Sequence, residues 1–156
     1  MNFPIKLDRE AIEGILPHRG AALMLDEGEV LSPLTSRASF LFTMESYPMF
    51  VDHFPGHPVV RGMDLIEASA LTASLVISVF PECQGLTGMF RGVNEAKFKK
   101  KVEPGDKLDM TATITSHKGR PGKIMMGEFE AEGRVNGEIV ATLHGNWYAI
   151  QLGEDK

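Results

Sequence analysis

The fold of this chain is decided by residues 62–80, which read Gly62-Met63-Asp64-Leu65-Ile66-Glu67-Ala68-Ser69-Ala70-Leu71-Thr72-Ala73-Ser74-Leu75-Val76-Ile77-Ser78-Val79-Phe80 and stop at Pro81. The run is apolar on nearly every side and carries no charge after Glu67. A helix of this kind is buried. Because serines interrupt the run and two carboxylates open it, the sequence predicts a buried helix rather than a membrane span.

Short strands are predicted on both sides of this helix, and a short amphipathic helix capped by Asp8 is predicted over residues 8–16. The candidate strands are residues 21–25, 37–43, 86–93, 108–115, 123–131 and 139–150. The first two would pair as a hairpin, and Asn136-Gly137 predicts a tight hairpin turn before the last. These elements indicate an α+β fold in which a curved antiparallel sheet wraps around one long buried helix, within a single domain of residues 1–156.

Composition excludes several classes of function. A net charge of −5 argues against a general nucleic-acid binder, which needs excess Lys and Arg. The single cysteine, Cys83, cannot form an internal disulfide. His53 and His57 have a spacing seen in metal sites, but without an obvious third ligand we predict no metal. The N-terminal residues contain no apolar core of signal-peptide length, so we expect a cytoplasmic protein. One sheet seldom covers such a helix alone, so we also expect a homodimer.

An imidazole and a carboxylate lie on either side of the helix start. His53 opens the segment His53-Phe54-Pro55-Gly56-His57-Pro58, in which the prolines and the glycine fix an irregular loop. Glu67 lies on the buried helix, where desolvation raises a carboxyl pKa and suits the group to donate a proton near neutral pH. We therefore expect His53 and Glu67 to share a cavity as base and acid. Helix capping explains Asp64 and Glu67 equally well.

Three motifs resemble, in their order, the signatures of FabZ-type 3-hydroxyacyl-(acyl-carrier-protein) dehydratases. They are Leu16-Pro17-His18-Arg19, then His53-Phe54-Pro55-Gly56-His57-Pro58 with Gly62 and Glu67, then Phe98-Lys99 with Val102-Glu103-Pro104-Gly105-Asp106. Their spacing matches over nearly the whole chain. The resemblance implies the hotdog fold, with subunits joined through their sheet edges and an active site at the dimer interface. Whether three dimers join into a hexamer is left open.

The resemblance also implies a role for each site residue. The loop histidine, His53, comes from one subunit and the helix carboxylate, Glu67, from the other, and a glutamate here favours simple dehydration over double-bond isomerisation. Dehydration of a 3-hydroxyacyl thioester needs a base for the C2 proton, an acid for the C3 hydroxyl and a donor for the thioester oxygen. His53, Glu67 and the backbone N–H of Gly62 supply these, and no cofactor is required.

A dense positive cluster follows the third predicted strand of this acidic chain. Side chains predicted to contact the substrate or its carrier, an acyl-carrier protein or coenzyme A, are Arg61, Met63, Lys99, Lys100 and Lys101, with Lys97 nearby. A solvated strand end is the other interpretation of the lysines.

Of the residues that depart from the FabZ-type pattern, three lie within positions 61–71. Arg61 stands where proline is usual, Asp64 occupies a normally apolar position, and Leu71 falls where a glutamine commonly contacts the carboxylate. Asp64 precedes Glu67 by three residues, so its charge would raise the pKa of Glu67 if both faced the cavity. Both a fatty-acid role and a specialised role, in polyketide or aryl-polyene-like synthesis, stay open. The alternatives outside dehydration are a non-catalytic hotdog acyl-thioester binding protein and a hotdog thioesterase.

Overall fold

The computed structural model describes residues 1–153, in which seven antiparallel strands form one sheet around a long helix. The elements are β1 (Ile5–Leu7), α1 (Arg9–Ile15), β2 (Glu27–Ser32), β3 (Thr35–Leu41), α2 (Gly62–Ile77), β4 (Thr87–Phe98), β5 (Lys107–Arg120), β6 (Ile124–Val135) and β7 (Glu138–Ile150). The strand order is β1-β2-β3-β5-β6-β7-β4. The predicted α+β class and the wrapped helix are confirmed.

Helix α2 forms the centre of the core because its apolar side chains meet the inner face of the sheet. Leu71 and Leu75 are fully buried, and β5 presents its alternate residues to the same core, as its apolar and polar alternation predicts. The Ser36 hydroxyl on β3 donates to the carbonyl oxygen of Thr72 at 2.5 Å. This bond between a strand and the middle of the helix fixes α2 against the sheet. No helix among residues 1–153 is both long enough and apolar enough to cross a membrane.

The predicted strand over residues 21–25 is wrong. A single 3₁₀ turn occupies Gly20–Ala22, and the hairpin partner of β3 is β2, which begins at Glu27. Leu23 and Leu25 are buried, but their carbonyl oxygens accept hydrogen bonds from Nη1 of Arg9 at 2.7 and 2.9 Å. Arg9, the first residue of α1, therefore supplies the hydrogen bonds to these carbonyl oxygens that a neighbouring strand would otherwise supply.

The N-terminal helix and the last hairpin follow local sequence rules. Asp8 caps α1 by accepting from the N–H of Ala11 at 2.8 Å. Asn136 and Gly137 take φ values of 50° and 79°, as the tight turn between β6 and β7 requires. Ile15, the last residue of α1, is exposed because the helix ends there and the chain leaves in an extended conformation.

Strand β4 lies at the edge of the sheet, beyond β7, although it precedes β5 in the sequence. Strands β5, β6 and β7 are consecutive both in the sequence and in the sheet, and they form an antiparallel meander. β4 is 12 residues long and exposes three large apolar side chains, Met89, Val93 and Phe98. A long apolar edge of unpaired backbone groups is a template for pairing with another chain.

Candidate active site

The loop that carries His53 is held by backbone hydrogen bonds. A 3₁₀ turn, Pro48–Val51, leads into it, and the His53 N–H donates to the carbonyl oxygen of Met49 at 2.9 Å. The ring atom Nδ1 lies 2.8 Å from the carbonyl oxygen of Val59. Since a carbonyl can only accept, Nδ1 carries the hydrogen and Nε2 keeps a free lone pair. This tautomer leaves Nε2 able to remove a proton.

Gly62 is the first residue of α2, at the end of the helix where the backbone N–H groups have no partner within the helix. A Cβ at this position would stand 2.9 Å from Cε2 of Phe98, so the ring packs directly over the glycine. A pocket of about 320 Å³ opens beside them and is lined by Val59, Leu65 and the lysines that follow Phe98. A small anionic oxygen can therefore approach the positive end of α2 here.

Glu67 lies in a different pocket, also of about 320 Å³, between α2 and the first half of β4. Burial raises the pKa of the Glu67 carboxyl above its ordinary value, the charge of His18 opposes this effect, and the charge of Asp64 adds to it. The carboxylate Oε1 is 4.0 Å from Nε2 of His18. The raised pKa agrees with the prediction and suits Glu67 to donate a proton.

The two pockets have no lining residue in common. The Glu67 pocket is lined by Ala70, Leu71, Met89 and Phe90 among others, and by neither His53 nor Gly62. Within one copy of the chain, the predicted base and acid therefore do not share a cavity.

Asp64 is bound to its own neighbours. Its carboxylate accepts from Nε of Arg61 at 2.7 Å and from Nη2 at 3.3 Å, and the Tyr47 hydroxyl makes a further short hydrogen bond to it. This ion pair holds the Asp64 carboxylate toward Arg61, and Asp64 does not line the pocket of Glu67. Its charge still raises the pKa of Glu67, in the direction that the sequence predicts. Met63, next to it, is 71% exposed.

The positive cluster lies beside the pocket of Gly62. Lys99, Lys100 and Lys101 all line that pocket. Lys100 forms an ion pair with Glu138, and Lys97, farther along β4, pairs with Glu95 at 2.9 Å. Surface pairs of this kind contribute little stability, so the cluster stays available to a charged partner.

Sequence reasoning missed two residues of this region. Within the motif Leu16-Pro17-His18-Arg19, the turn after α1 is held by Arg19, whose guanidinium donates to the carbonyl oxygens of Leu16 and His18 at 2.7 Å. The His18 ring lines the pocket of Glu67 instead, and its Nδ1 is buried without a hydrogen-bond partner among residues 1–153. Tyr47 lies 17 residues before Asp64, and the sequence contains no signal of their contact.

Comparisons with known proteins show the family to which this chain is similar. The family described as ApeI-like, ApeI dehydratase, matches residues 35–136. The 3-hydroxyacyl-(acyl-carrier-protein) dehydratase FabZ of Cereibacter sphaeroides is 34% identical over 139 residues, which are 88% of this chain and 86% of that one. FabZ of Polynucleobacter asymbioticus is 36% identical over 141 residues, 90% and 91% of the two chains. Among solved structures, the dehydratase heterocomplex ApeI:P from Xenorhabdus doucetiae has a similar fold, with a TM-score of 0.73, 19% identity and coverage of 92% and 91%.

Proposed function

This chain belongs to the ApeI-like dehydratase family, and on that basis we propose that it removes water from a 3-hydroxyacyl thioester, carried on an acyl-carrier protein or coenzyme A, to give the trans-2-enoyl thioester. Its FabZ relatives carry that activity in their name and align over most of the chain. The observation that carries the assignment of roles is the hydrogen bond from His53 Nδ1 to the Val59 carbonyl, because it makes Nε2 a base.

The reaction follows from three groups. His53 Nε2 removes the C2 proton, and the Gly62 N–H stabilises the negative charge that moves onto the thioester oxygen. The electrons then form the C2–C3 double bond while the C3–O bond breaks. Glu67 gives its proton to the departing hydroxyl, which leaves as water. The proton held by His53 and the one lost by Glu67 balance, so exchange with water restores the starting state.

The two halves of the site come from two copies of the chain in this proposal. His53 lies on the loop before α2, Gly62 lines the pocket at the start of α2, and Glu67 lines a separate pocket against β4. The exposed β4 edge supports pairing of two sheets beside that pocket. A homodimer joined through β4 would bring the Glu67 pocket of one copy against the His53 loop of the other. A hexamer of three such dimers stays a prediction.

The lysines beside Gly62 support docking of an acidic carrier. A carrier protein delivers its thioester on a flexible phosphopantetheine arm, and positive charge at the pocket mouth attracts both the acidic protein and the phosphate. Lys99 and Lys101 lie at this mouth together with Lys100. Fatty-acid synthesis and specialised acyl synthesis both present substrates in this form.

Hydration of a 2-enoyl thioester, followed by the loss of its conjugated ultraviolet absorbance, tests the proposal. The wild-type protein should catalyse it at a rate unchanged by EDTA, and His53→Ala and Glu67→Gln should each lower turnover by roughly 10² to 10⁴. A mixture of the two variants after subunit exchange should recover about a quarter of wild-type activity, because half of the dimers are mixed and one of their two sites is intact. A mixture that stays inactive although mixed dimers are detected would contradict the shared site.

A further inference from the structure

We infer that Tyr47, Arg61 and Asp64 form a positioning cluster that holds the first turn of α2, and with it the N–H of Gly62, in register with the loop that carries His53. The inference rests on the proposed function, since it concerns the groups that hold the reacting atoms. None of the three side chains is assigned contact with the reacting atoms. Their effect is on geometry.

The first turn of α2 has no ordinary cap. Arg61 is the N-cap residue, and its side chain makes no capping hydrogen bond to the helix backbone. Its guanidinium instead binds the Asp64 carboxylate through two nitrogens, Nε at 2.7 Å and Nη2 at 3.3 Å. A two-point ion pair defines orientation better than a single contact does. The pair spans Gly62, so it fixes the residues on both sides of the proposed oxygen-binding N–H.

Tyr47 joins this pair to the rest of the molecule. Its hydroxyl bonds the Asp64 carboxylate and also accepts from the backbone N–H of Arg61 at 3.2 Å. The ring is 5% exposed and packs edge-on against Phe42 and Phe50, with centroids 5.2 and 4.8 Å away. A ring held in this way cannot swing, so its hydroxyl is a fixed point for the helix start. Burial, and then the hydrogen bond to Asp64, raise the pKa of Tyr47, which keeps the hydroxyl protonated.

The same tyrosine begins the segment that ends at His53. Tyr47 precedes the 3₁₀ turn Pro48–Val51, and the carbonyl of Met49 in that turn accepts from the His53 N–H. The base and the oxygen-binding N–H are thus both tied to one buried ring. A misplacement of about 1 Å between groups that act on one substrate lowers rates by roughly 10². A cluster that sets their separation therefore acts on kcat.

Arg61 was also expected to receive the carrier, and the two roles predict different kinetics. A docking arginine acts on binding, so its loss raises KM for carrier-linked substrates and spares short thioesters. A positioning cluster acts on the transition state, so its loss lowers kcat for both kinds of substrate with little change in KM. Because Nε and Nη2 are both engaged by Asp64, the geometry favours positioning.

The test measures hydration of a short enoyl pantetheine thioester and of the same acyl group on a carrier protein. Tyr47→Phe keeps the packed ring and removes only the hydroxyl, and Asp64→Asn keeps the shape and removes the charge. Each should lower kcat roughly tenfold on both substrates with KM changed by less than about twofold, and the double variant should be little worse than either single one. Rates are compared at the pH optimum of each variant, which removes the effect of Asp64 on the pKa of Glu67.

The matched control is Asp109→Asn, which breaks the 3.2 Å ion pair between Arg37 and Asp109 on the other face of the sheet and should leave kcat unchanged. Melting temperatures show whether each variant folds. Variants with wild-type kcat, or with a raised KM on carrier substrates alone, would overturn the positioning role while the proposed function stands. An inactive wild-type protein would overturn both.

Discussion

An alanine at position 62 tests whether the space above the first turn of α2 is used by the substrate. Its methyl carbon would stand 2.9 Å from Cε2 and 3.0 Å from Cζ of Phe98. Carbon atoms in contact are normally about 3.5–4.0 Å apart, so the ring or the helix start must move by roughly 0.5–1 Å. Phe98 is 48% exposed, so the ring is the part that moves.

The change in stability should be small because two effects oppose each other. Displacing a half-buried phenylalanine ring costs about 1 kcal/mol. Alanine in place of glycine recovers up to about 1 kcal/mol of helix propensity. The net loss in the free energy of unfolding therefore lies between zero and about 1 kcal/mol, which lowers the melting temperature by at most about 4 °C for a chain of this size.

Turnover should fall much further than stability. The methyl group and the displaced ring enter the pocket in front of the Gly62 N–H, so we expect kcat/KM for enoyl hydration to drop at least about tenfold. Gly14→Ala is the matched control, because position 14 is also helical and a Cβ there meets nothing within 4 Å; it should leave turnover unchanged. If Gly62→Ala hydrates the thioester as fast as Gly14→Ala, Gly62 does not hold the reacting oxygen.

Three other predictions concern the lysines, Glu67 and the edge strand β4. Replacing Lys99, Lys100 and Lys101 by glutamate should raise KM for carrier-linked substrates far more than for pantetheine thioesters, and added salt should imitate it; equal effects on both would exclude docking. Burial raises the pKa of Glu67 above its ordinary value, so the folded chain keeps a proton that the unfolded chain has lost, and the free energy of unfolding falls as pH rises from the ordinary pKa through the raised one. Measured by chemical denaturation, Glu67→Gln should be more stable than wild type at about pH 7 but not at about pH 3. An equal difference at both pH values would contradict this. Val93→Asp should yield monomers in analytical ultracentrifugation, and an unchanged dimer would exclude pairing through β4.

The parts of the fold that follow from local rules were predictable. The unbroken apolar surface of residues 62–80 requires burial, and the alternation over residues 108–115 fixes which side of β5 faces the helix. The turn at Asn136-Gly137 follows from the residue types, because asparagine and glycine are the residues that most readily adopt the positive φ angles this turn requires. By contrast, the apolar run that contains Leu23 and Leu25 was predicted as a strand, because its sequence gives no sign that Arg9 donates hydrogen bonds to their carbonyl oxygens.

In the candidate site, too, the residues identified by local sequence were predictable, and those that depend on tertiary contacts were not. His53 and Glu67 stand out from residue type and surroundings, and the pair of Arg61 and Asp64 could have been predicted from opposite charges three positions apart on a helix start. Tyr47 could not have been, because its contact with Asp64 depends on how the chain returns to α2. The sequence likewise identifies His18 as part of a motif, but its contact with Glu67 depends on the tertiary fold and could not be predicted.

Helix geometry supports the proposal that the site is divided between two copies of the chain. Gly62 and Glu67 are five residues apart, which places them roughly 140° apart around the axis and about 7.5 Å apart along it. The proposed dimer therefore assigns the Gly62 face of each helix to one site and its Glu67 face to the other. A two-fold axis between two copies would form two equal sites of this kind. A Val93→Asp monomer should therefore not hydrate enoyl thioesters. A monomer that hydrates them at the wild-type rate would require His53 and Glu67 to act from a single chain.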